Sequence, residues 1–310
     1  MKITYIFDNS YISQFLTVTN SILKNEKPEL KNKIIFYINY FGQKESINEL
    51  LTLANTNFPN NTFKIKHIPS EFPHLFQKQE SNYKFHSSAE HIQTSSVYCR
   101  FYLDQIWPEV NDILLYLDLD LIVKNSISYL FDQLDSKFYF HACAGPRLSF
   151  DILNKFHSSL KNIYYDKKNL LSGYKEEFKY FKNKKFNLNN LGFNAGVFAI
   201  NLGKYRSLKI GKKCEFLMLC HSFEKLFHFN DQGILNAVFY GLTQFIDPNW
   251  NCLGYGWYNW KNEEDIKKKF DHGYIIHYNG KVKPWLDIKK NNEKYFSNGV
   301  KLWKLYEIKY

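Results

Sequence analysis

The sequence predicts an α/β fold built around a parallel sheet, and three observations support this prediction. Strand-like and helix-like patterns alternate from the first residues, which is typical of parallel strands joined by crossover helices. The most apolar of the early strand patterns, residues 112–117, runs directly into two carboxylates, and ligands of open α/β sheets gather at such strand ends. Apolar residues make up 45% of the chain and charged residues 23%, which are ordinary globular proportions.

The spacing of apolar residues assigns the elements in order. Residues 3–7 form a short apolar run that ends in polar residues, which predicts a buried strand. Residues 11–23 follow with apolar positions at helical spacing, and the alternation of strand and helix continues to residue 68. The predicted strands are 3–7, 33–38, 62–68, 112–117, 138–144, 244–246 and 274–278, and the predicted helices are 11–23, 46–54, 94–105, 205–223 and 231–240. Residues 69–93, with His74, His86 and His91, are predicted as a loop, and residues 151–190 as a basic stretch with weak helical spacing.

The size and charge of the chain limit its class. Its 310 residues fit one large domain or two modest ones. No linker separates two units, so we expect one large α/β domain over residues 1–280, followed by a basic aromatic tail over residues 281–310. The net charge of +11 favours an anionic partner, which is a nucleotide, a nucleic acid or an anionic lipid surface.

The cysteines and the apolar segments indicate the compartment. Five cysteines without CxxC spacing argue against a disulfide scaffold or a zinc ribbon and favour a reducing compartment. The apolar run at the start is too short for a signal peptide, and the longest uncharged window, residues 186–203, contains five asparagines. We therefore expect a cytoplasmic protein that touches a membrane only peripherally, at its inner face.

Asp118 and Asp120 form the first candidate site. Two carboxylates spaced i and i+2 at a strand end can meet one cation, which removes their mutual repulsion. Taken alone, such a D-x-D motif is equally compatible with a loop that carries two solvated acids.

Further polar residues stand where a parallel sheet would bring them to the same edge. Asp8 ends the first strand, and Arg100 lies on the helix before the D-x-D strand. His277 stands at a strand end and is followed by Gly280 and Lys283. A metal ligand followed by an ammonium group suits a metal-bound diphosphate.

Two more motifs carry polar side chains. Asn194 precedes two small residues that let the backbone approach a ligand closely, and Asp231 and Gln232 begin a helix whose N-terminal amides favour a polar ligand. From the residues alone, a buried core histidine at 277, a turn asparagine at 194 and a capping glutamine at 232 remain open alternatives.

The blocks LDLD, FNAGVFAINL, NDQGILN and HYNGKVKPW, in this order, resemble the retaining glycosyltransferases of family 8. That family includes glycogenin and bacterial lipooligosaccharide galactosyl- and glucosyltransferases, and the resemblance covers about residues 1–286. It implies a GT-A (Rossmann-like) nucleotide-sugar-binding fold with a central mixed, mostly parallel sheet. It also implies a UDP-sugar donor and a Mn²⁺ ion, with Mg²⁺ as a weaker substitute. The implied reaction moves a hexose, galactose or glucose, to a glycan acceptor such as a bacterial surface polysaccharide or lipooligosaccharide, and forms an α-linkage.

The resemblance also implies a role for each matching residue. The metal ligands would be Asp118, Asp120 and His277. The residues that bind the donor nucleotide and diphosphate would be Asp8, Arg100, Asp118, Gly280 and Lys283. The catalytic residues beside the donor sugar would be Asn194, Asp231 and Gln232. Two departures from the family pattern bear on the donor: Asn9 stands where many members carry a second acid, and residues 142–146 lack an acid that many members place near the sugar.

Two other classes of function are the alternatives. One is a non-catalytic sugar-nucleotide-binding protein, which the intact acids, His277 and Lys283 argue against. The other is a basic nucleic-acid-binding protein, but the abundant aromatic residues form no RNP, OB-fold or helix-turn-helix pattern, so no nucleic acid is expected as a partner.

The last thirty residues combine basic and aromatic side chains. Residues 281–310 contain eight lysines against three acids, interleaved with aromatic residues such as Trp285, Trp303 and Tyr306. Aromatic rings and lysines suit an anionic membrane interface, so we expect peripheral membrane contact through this tail. The alternative is a C-terminal helix that packs on the core.

Overall fold

A seven-stranded sheet forms the centre of the molecule. The structure is a computed structural model, and it describes residues 1–69, 95–253, 263–280, 282–286 and 293–310. The strands are β1 (Lys2–Phe7), β2 (Ile35–Tyr40), β3 (Thr62–His67), β4 (Ile113–Leu117), β5 (Leu121–Val123), β6 (Phe140–Arg147), β7 (Leu191–Asn201), β8 (Thr243–Ile246) and β9 (Ile275–His277). Strands β5 and β9 pair antiparallel in a second, two-stranded sheet.

The strand order of the large sheet creates a crevice at one edge. The order is β3-β2-β1-β4-β7-β6-β8, and every neighbouring pair is parallel except the two pairs that β7 makes with β4 and β6. The sheet is therefore mixed and mostly parallel, as the family resemblance implied, whereas the strand patterns alone predicted a parallel sheet. Strand β1 pairs with β2 on one side and with β4 on the other, so the strand order reverses between β1 and β4. Open α/β sheets bind ligands at the carboxyl ends of the strands beside such a switch point. Asp8 follows β1 and Asp118 follows β4.

Helices accompany the strands along the chain. They are α1 (Ile12–Asn25), α2 (Pro28–Lys31), α3 (Ile47–Asn57), α4 (Leu103–Ile106), α5 (Ser128–Phe131), α6 (Phe156–Asp166), α7 (Lys168–Leu171), α8 (Lys175–Asn183), α9 (Leu202–Ser207), α10 (Ile210–Phe223), α11 (Asn230–Phe239), α12 (Glu263–His272) and α13 (Glu293–Tyr306). None of the helices in the described part of the chain combines the length and hydropathy that crossing a membrane requires.

The large sheet is buried on both faces. Along β4, Leu114 and Tyr116 belong to one hydrophobic core, and Leu115 and Leu117 belong to another. The first core includes buried residues of α10 and α11, and the second includes buried residues of α1, α3 and α13. A strand buried on both faces reads as a continuous apolar run, which is why residues 112–117 stood out in the sequence.

The C-terminal residues pack against α1. In α13, Trp303 is 1% exposed, and its ring contacts those of Tyr278 and Trp285. Asn20 and Asn25 of α1 donate to the carbonyl and the hydroxyl of Tyr306, at 2.7 and 2.9 Å. Rings that the sequence predicted for a membrane interface thus lie in the second core.

Some elements differ from the predicted ones. The predicted helix 94–105 is a 3₁₀ helix over Ser95–Tyr102 followed by the single turn of α4. In a 3₁₀ helix residues three apart lie on one face, and Tyr98 and Phe101 are both buried in this way. The predicted helix 205–223 is interrupted at Lys209, whose φ of 51° is left-handed. Strand β5 and helices α5 and α12 were not predicted. The predicted loop with His74, His86 and His91 lies outside the described residues except for its first position.

Candidate active site

Three side chains that can bind a metal ion meet at the carboxyl edge of the sheet. Asp118 follows β4, Asp120 precedes β5, and His277 ends β9, which pairs with β5. One ligand atom of each residue lies within 4.8 Å of the others. Nε2 of His277 is 3.1 Å from Oδ1 of Asp120 and 3.8 Å from Oδ2 of Asp118. Two carboxylates and an imidazole form a donor set that suits a divalent transition-metal ion.

The backbone of β7 leaves room for this cluster because residue 196 is glycine. A Cβ atom at Gly196 would lie 2.3 Å from Cε1 of His277 and 2.6 Å from Oδ2 of Asp118, which is closer than such atoms approach. The sequence predicted that the small residues after Asn194 allow a close approach. The space above Gly196 is a cradle that a side chain would fill, so the residues present fit a bound metal ion.

A chain of hydrogen bonds determines which ring nitrogen of His277 faces the acids. The backbone N–H of Gly196 donates to Oδ1 of Asn194 at 3.0 Å, and the same oxygen accepts from Nδ2 of Asn251 at 3.2 Å. The other side-chain atom of Asn251, Oδ1, is therefore an acceptor for Nδ1–H of His277, at 2.8 Å. Because Nδ1–H is taken up by Asn251, Nε2 is the ring nitrogen that faces the two acids, and it is the atom that a metal ion would have to bind.

A lysine lies against the same acids. Nζ of Lys283 is 2.5 Å from Oδ2 of Asp120 and donates to the carbonyl oxygen of Tyr278 at 2.9 Å. Gly280, between His277 and Lys283, has a φ of 114°, which residues with a Cβ atom rarely adopt. The glycine thus permits the turn after β9 that returns Lys283 to the carboxylates.

The two acids have pKa values that move in opposite directions. Burial raises the pKa of Asp118, although Arg100 partly offsets this effect. Burial alone would also raise the pKa of Asp120, but the neighbouring His277 and Lys283 outweigh it and lower that pKa below its usual value. The negative charge of Asp120 also raises the pKa of Asp118, because like charges repel. A cation between them would stabilise both ionised forms.

Arg100 connects the metal cluster to helix α11. Its Nη1 is 2.9 Å from Oδ2 of Asp231 and donates to the carbonyl oxygen of Ala195 at 3.0 Å. Its Nη2 donates to the hydroxyl of Tyr116 at 2.9 Å, and that hydroxyl donates to Oδ1 of Asp118 at 2.7 Å. The side chain of Arg100 is 9% exposed, so a buried cation is held between two acids of the site.

Asn194 and Gln232 hydrogen-bond to each other beside the first turn of α11. Nδ2 of Asn194 and the backbone N–H of Ala195 both donate to Oε1 of Gln232, at 3.1 and 3.2 Å. Nε2 of Gln232 donates to Oδ1 of Asp151 at 2.8 Å. His277 is thereby linked, through the amides of Asn251 and Asn194, to Gln232, which is predicted to lie beside the donor sugar.

Asp8 lies at the same edge of the sheet but makes local hydrogen bonds. Its Oδ1 accepts from the backbone N–H of Ser10 at 2.9 Å and from the hydroxyl of Ser10 at 2.5 Å, which caps the 3₁₀ turn after β1. Burial raises the pKa of Tyr11, and the negative charges of Asp120, Asp8 and Asp118 raise it further. Tyr11 therefore lies near both Asp8 and the metal cluster.

Most of the predicted site residues are joined in one network, although their roles in the reaction stay predictions. The network contains Arg100, Asp118, Asp120, Asn194, Asp231, Gln232, His277 and Lys283.

Sequence reasoning missed Asp151, Asn236 and Asn251. Asn236 was detectable, because it follows Gln232 by four residues and so shares its helix face. Asp151 was hidden at the start of a basic, weakly patterned stretch, and Asn251 stands in a 3₁₀ turn without a motif.

The fold resembles that of solved glycosyltransferases. The crystal structure of the galactosyltransferase LgtC in complex with donor and acceptor sugar analogs superimposes with a TM-score of 0.64 at 19% identity, and the match covers 100% of this chain and 97% of that one. GlyE from Streptococcus pneumoniae TIGR4 gives a TM-score of 0.57 at 18% identity, over 98% of this chain and 61% of that one. The likeness to LgtC confirms the GT-A fold that the family resemblance implied.

Sequence relatives point the same way. A lipopolysaccharide 1,2-glucosyltransferase of Escherichia coli is 29% identical over 277 residues, which cover 86% of this chain and 68% of that protein. The probable galacturonosyltransferase-like 3 of Arabidopsis thaliana is 25% identical over 240 residues, which cover 77% of this chain and 62% of that protein. The chain spans only 31% and 46% of the length of two further Arabidopsis galacturonosyltransferases.

A family comparison covers nearly the whole chain. Residues 2–289 match the model of glycosyl transferase family 8. Asp118, Asp120, His277 and Lys283 all lie within this range. Since the match extends from the first strand to beyond the turn that carries Lys283, the chain belongs to glycosyl transferase family 8.

Proposed function

We propose that the protein is a retaining glycosyltransferase that moves a hexose, galactose or glucose, from a UDP-sugar to a glycan acceptor and forms an α-linkage. The observation that carries this proposal is the cluster of Asp118, Asp120 and His277 with Lys283 beside it, at the switch point of the sheet. An acidic metal site with an ammonium group beside it suits a donor that carries a diphosphate.

Asp118, Asp120 and His277 would hold the metal ion. The imidazole favours Mn²⁺ over Mg²⁺, which prefers sites made only of oxygen ligands. When bound, the ion supplies Lewis-acid stabilisation of the negative charge that grows on the departing UDP. The absence of a side chain at Gly196 leaves room for the ligands, and the hydrogen bond from Nδ1 of His277 to Asn251 orients the imidazole.

We assign two cations of the described residues, Lys283 and Arg100, to the donor. Nζ of Lys283 is 2.5 Å from Asp120, and its side chain is 21% exposed, so it can turn toward a phosphate oxygen of the donor. Arg100 is buried and held by Asp231, so we assign it the fixed task of orienting Asp231 and the first turn of α11 toward the sugar. We propose that Asp8 binds the nucleoside and that Gly280 lets the backbone approach the diphosphate.

Retention follows from the face on which the acceptor attacks. Oε1 of Gln232 already accepts two hydrogen bonds, and an amide oxygen is a weak nucleophile, which argues against a covalent intermediate on this residue. We therefore favour attack of the acceptor hydroxyl from the side on which UDP leaves. The bond from the anomeric carbon to the phosphate oxygen breaks, the bond to the acceptor oxygen forms, and the hydroxyl proton moves to the departing phosphate.

The acceptor and its location belong to the same proposal. The glucosyltransferase relative from Escherichia coli is named for lipopolysaccharide, which supports a surface polysaccharide or lipooligosaccharide as acceptor. All five cysteines are free and buried, which supports a reducing, cytoplasmic location. With Trp303 and Tyr306 buried, peripheral membrane contact through the C-terminal residues would depend on exposed lysines such as Lys301 and Lys304.

The test is a panel of UDP-sugars incubated with the purified protein, with release of UDP as the readout. We expect hydrolysis of UDP-galactose or UDP-glucose that requires Mn²⁺ and stops with EDTA. Proton NMR of a product made with a sugar acceptor should show an α-linkage, and a β-linkage would refute the retaining mechanism.

Variants of the ligands test the metal site. Asp120→Asn and His277→Ala should each remove most of the activity without loss of the fold, since each removes one ligand. Asp112→Asn is the matched control, because this acid is exposed and pairs with Lys2 at 2.5 Å on the surface. Near wild-type turnover in either ligand variant would show that the metal site is assigned wrongly.

A further inference from the structure

Asp151 is a buried acid that contacts helix α11 beneath the side chain of Gln232. It follows the 3₁₀ turn Leu148–Phe150 at the end of β6, and it is 1% exposed. Its Oδ1 accepts from Nε2 of Gln232 at 2.8 Å, and its Oδ2 accepts from Nδ2 of Asn236 at 3.2 Å. Both donors lie on α11, one helical turn apart, so the carboxylate bridges two amides of the same helix face.

The bridge fixes the orientation of the Gln232 amide. The backbone N–H of Ala195 can only donate, so the atom of Gln232 that faces it must be the oxygen. The nitrogen of Gln232 then faces Asp151, and only an acceptor satisfies it there. A carboxylate is the side chain that accepts at both of its ends, toward Gln232 and toward Asn236.

The surroundings of Asp151 argue against a purely structural role, because they lower the stability of the folded state when the carboxylate is ionised. Within the described residues, the side-chain partners of Asp151 are these two neutral amides, with no ion pair. Burial raises the pKa of Asp151 to about 7, against the opposing effect of the hydrogen bond from Gln232. A buried carboxylate without a cation costs stability that an apolar side chain of similar volume would not cost.

We propose that Asp151 is a positioning residue for the transfer reaction, which holds the amide of Gln232 so that the second N–H of its Nε2 is directed to the donor sugar. This inference rests on the proposed function, because only that function places a donor sugar beside the partly exposed side chain of Gln232. Asp151 itself is buried beneath Gln232 and acts only through it.

A double-mutant cycle on Asp151 and Gln232 tests the inference. The variants are Asp151→Asn, Gln232→Ala and the pair together, and the measurements are kcat, the KM for the UDP-sugar and calorimetric binding of UDP with Mn²⁺. In Asp151→Asn, an NH₂ group must face one of the two amide donors, so we expect kcat to fall about tenfold or more. UDP binding should stay within about twofold of the wild type, because the metal cluster and Lys283 are unchanged.

The double variant separates action through Gln232 from any other role. We expect its kcat to equal that of Gln232→Ala alone, because Asp151 has nothing left to position. Losses that multiply would overturn the inference, and so would a wild-type kcat in Asp151→Asn. Asp151→Ala serves as a second variant with the same expectations, in case the asparagine does not fold.

The control is Asp104→Asn on α4, another acid whose pKa burial raises, and its kcat should not change. Failure of the proposed function looks different. In that case the wild type itself turns over no UDP-sugar, whereas failure of this inference leaves an active enzyme that is indifferent to Asp151.

Discussion

At the scale of single residues, we propose that the site divides into a side that binds the donor diphosphate and a side that meets the donor sugar. Lys283 contacts Asp120, whereas Asp231 and Gln232 lie in the first turn of α11 and contact Arg100 and Asn194. We expect Lys283→Ala to weaken the binding of UDP with Mn²⁺. Gln232→Ala and Asp231→Asn should instead lower kcat by more than they lower UDP affinity. Calorimetry and steady-state kinetics measure the two effects, and an equal loss of UDP affinity in all three variants would contradict this division.

The raised pKa of Asp151 predicts a pH dependence of stability. An unfolded aspartate titrates near 3.9 and the folded one at about 7, so the folded state binds the proton more tightly. The stability of the wild type should therefore decrease, through this group, as the pH rises from 4 to 7, and change little above that. Asp151→Asn lacks this effect, so its stability relative to the wild type should rise by about 3 to 4 kcal/mol over the same range.

Urea unfolding at several pH values measures that difference directly, since other titrating groups contribute equally to both proteins. Asp231 is the nearby acid that raises the pKa of Asp151 further, so it stays unchanged in both. A constant difference between the two proteins from pH 4 to pH 7 would show that Asp151 is ionised at an ordinary pKa.

At the scale of elements, the close approach of β7 to the metal cluster depends on Gly196. In Gly196→Ala, the new Cβ would displace the ring of His277 or the carboxylate of Asp118, since both lie within 2.6 Å of it. We expect loss of Mn²⁺ binding and of turnover, with the secondary structure retained. Gly173→Ala is the matched control, because a Cβ atom there meets nothing within 4 Å. Unchanged Mn²⁺ affinity in Gly196→Ala would mean that the ligands can move aside.

The same scale shows what the sequence could predict. Strands such as β1 and β4 were predictable because both of their faces are buried, which produces apolar runs. Strand β5 has three residues, too few for a periodic pattern, and yet it pairs with β9 and brings His277 to Asp120. The direction of β7 depends on long-range pairing that local periodicity does not contain.

The site was predictable where residues form motifs and hidden where they do not. Asp118, Asp120, His277 and Lys283 stand in ordered blocks, and the structure places them together. Asn251 and Asp151 reach the site from unpatterned turns, and only the packing of those turns brings their side chains to His277 and Gln232.

At the scale of the whole molecule, one core spans the distance from the N-terminal strands to the C-terminal helix. The backbone N–H of Ile308 donates to the hydroxyl of Thr17 at 3.1 Å, and the hydroxyl of Tyr278 donates to the carbonyl of Gly299 at 2.6 Å. Tyr278, which follows His277 directly, therefore connects the end of β9 to helix α13. A change in α13 should reach the site through Tyr278.

Trp303 tests whether the C-terminal helix is structural or a membrane contact. Its ring is 1% exposed and packs edge-on against Tyr278 at a centroid distance of 5.8 Å. Trp303→Ala should lower the free energy of unfolding by about 3 to 5 kcal/mol, because it leaves a large cavity in the second core. Leu305→Ala, on the same helix but 66% exposed, should change it by about 0.5 kcal/mol or less.

Binding to anionic vesicles separates the two roles of this helix. If Trp303 serves the core, folded Trp303→Ala should bind such vesicles as the wild type does, while Lys301→Glu with Lys304→Glu should bind them less in low salt, because these exposed lysines carry the attraction. Loss of vesicle binding in Trp303→Ala at unchanged stability would instead mean that, in the wild type, the ring of Trp303 leaves the core and inserts into the membrane. The contacts of Trp303 with Tyr278 and Trp285 would then have to open, and Tyr278, next to the proposed metal ligand His277, would lose its packing partner. Membrane attachment of that kind would alter the metal site, whereas attachment through the lysines would leave it intact.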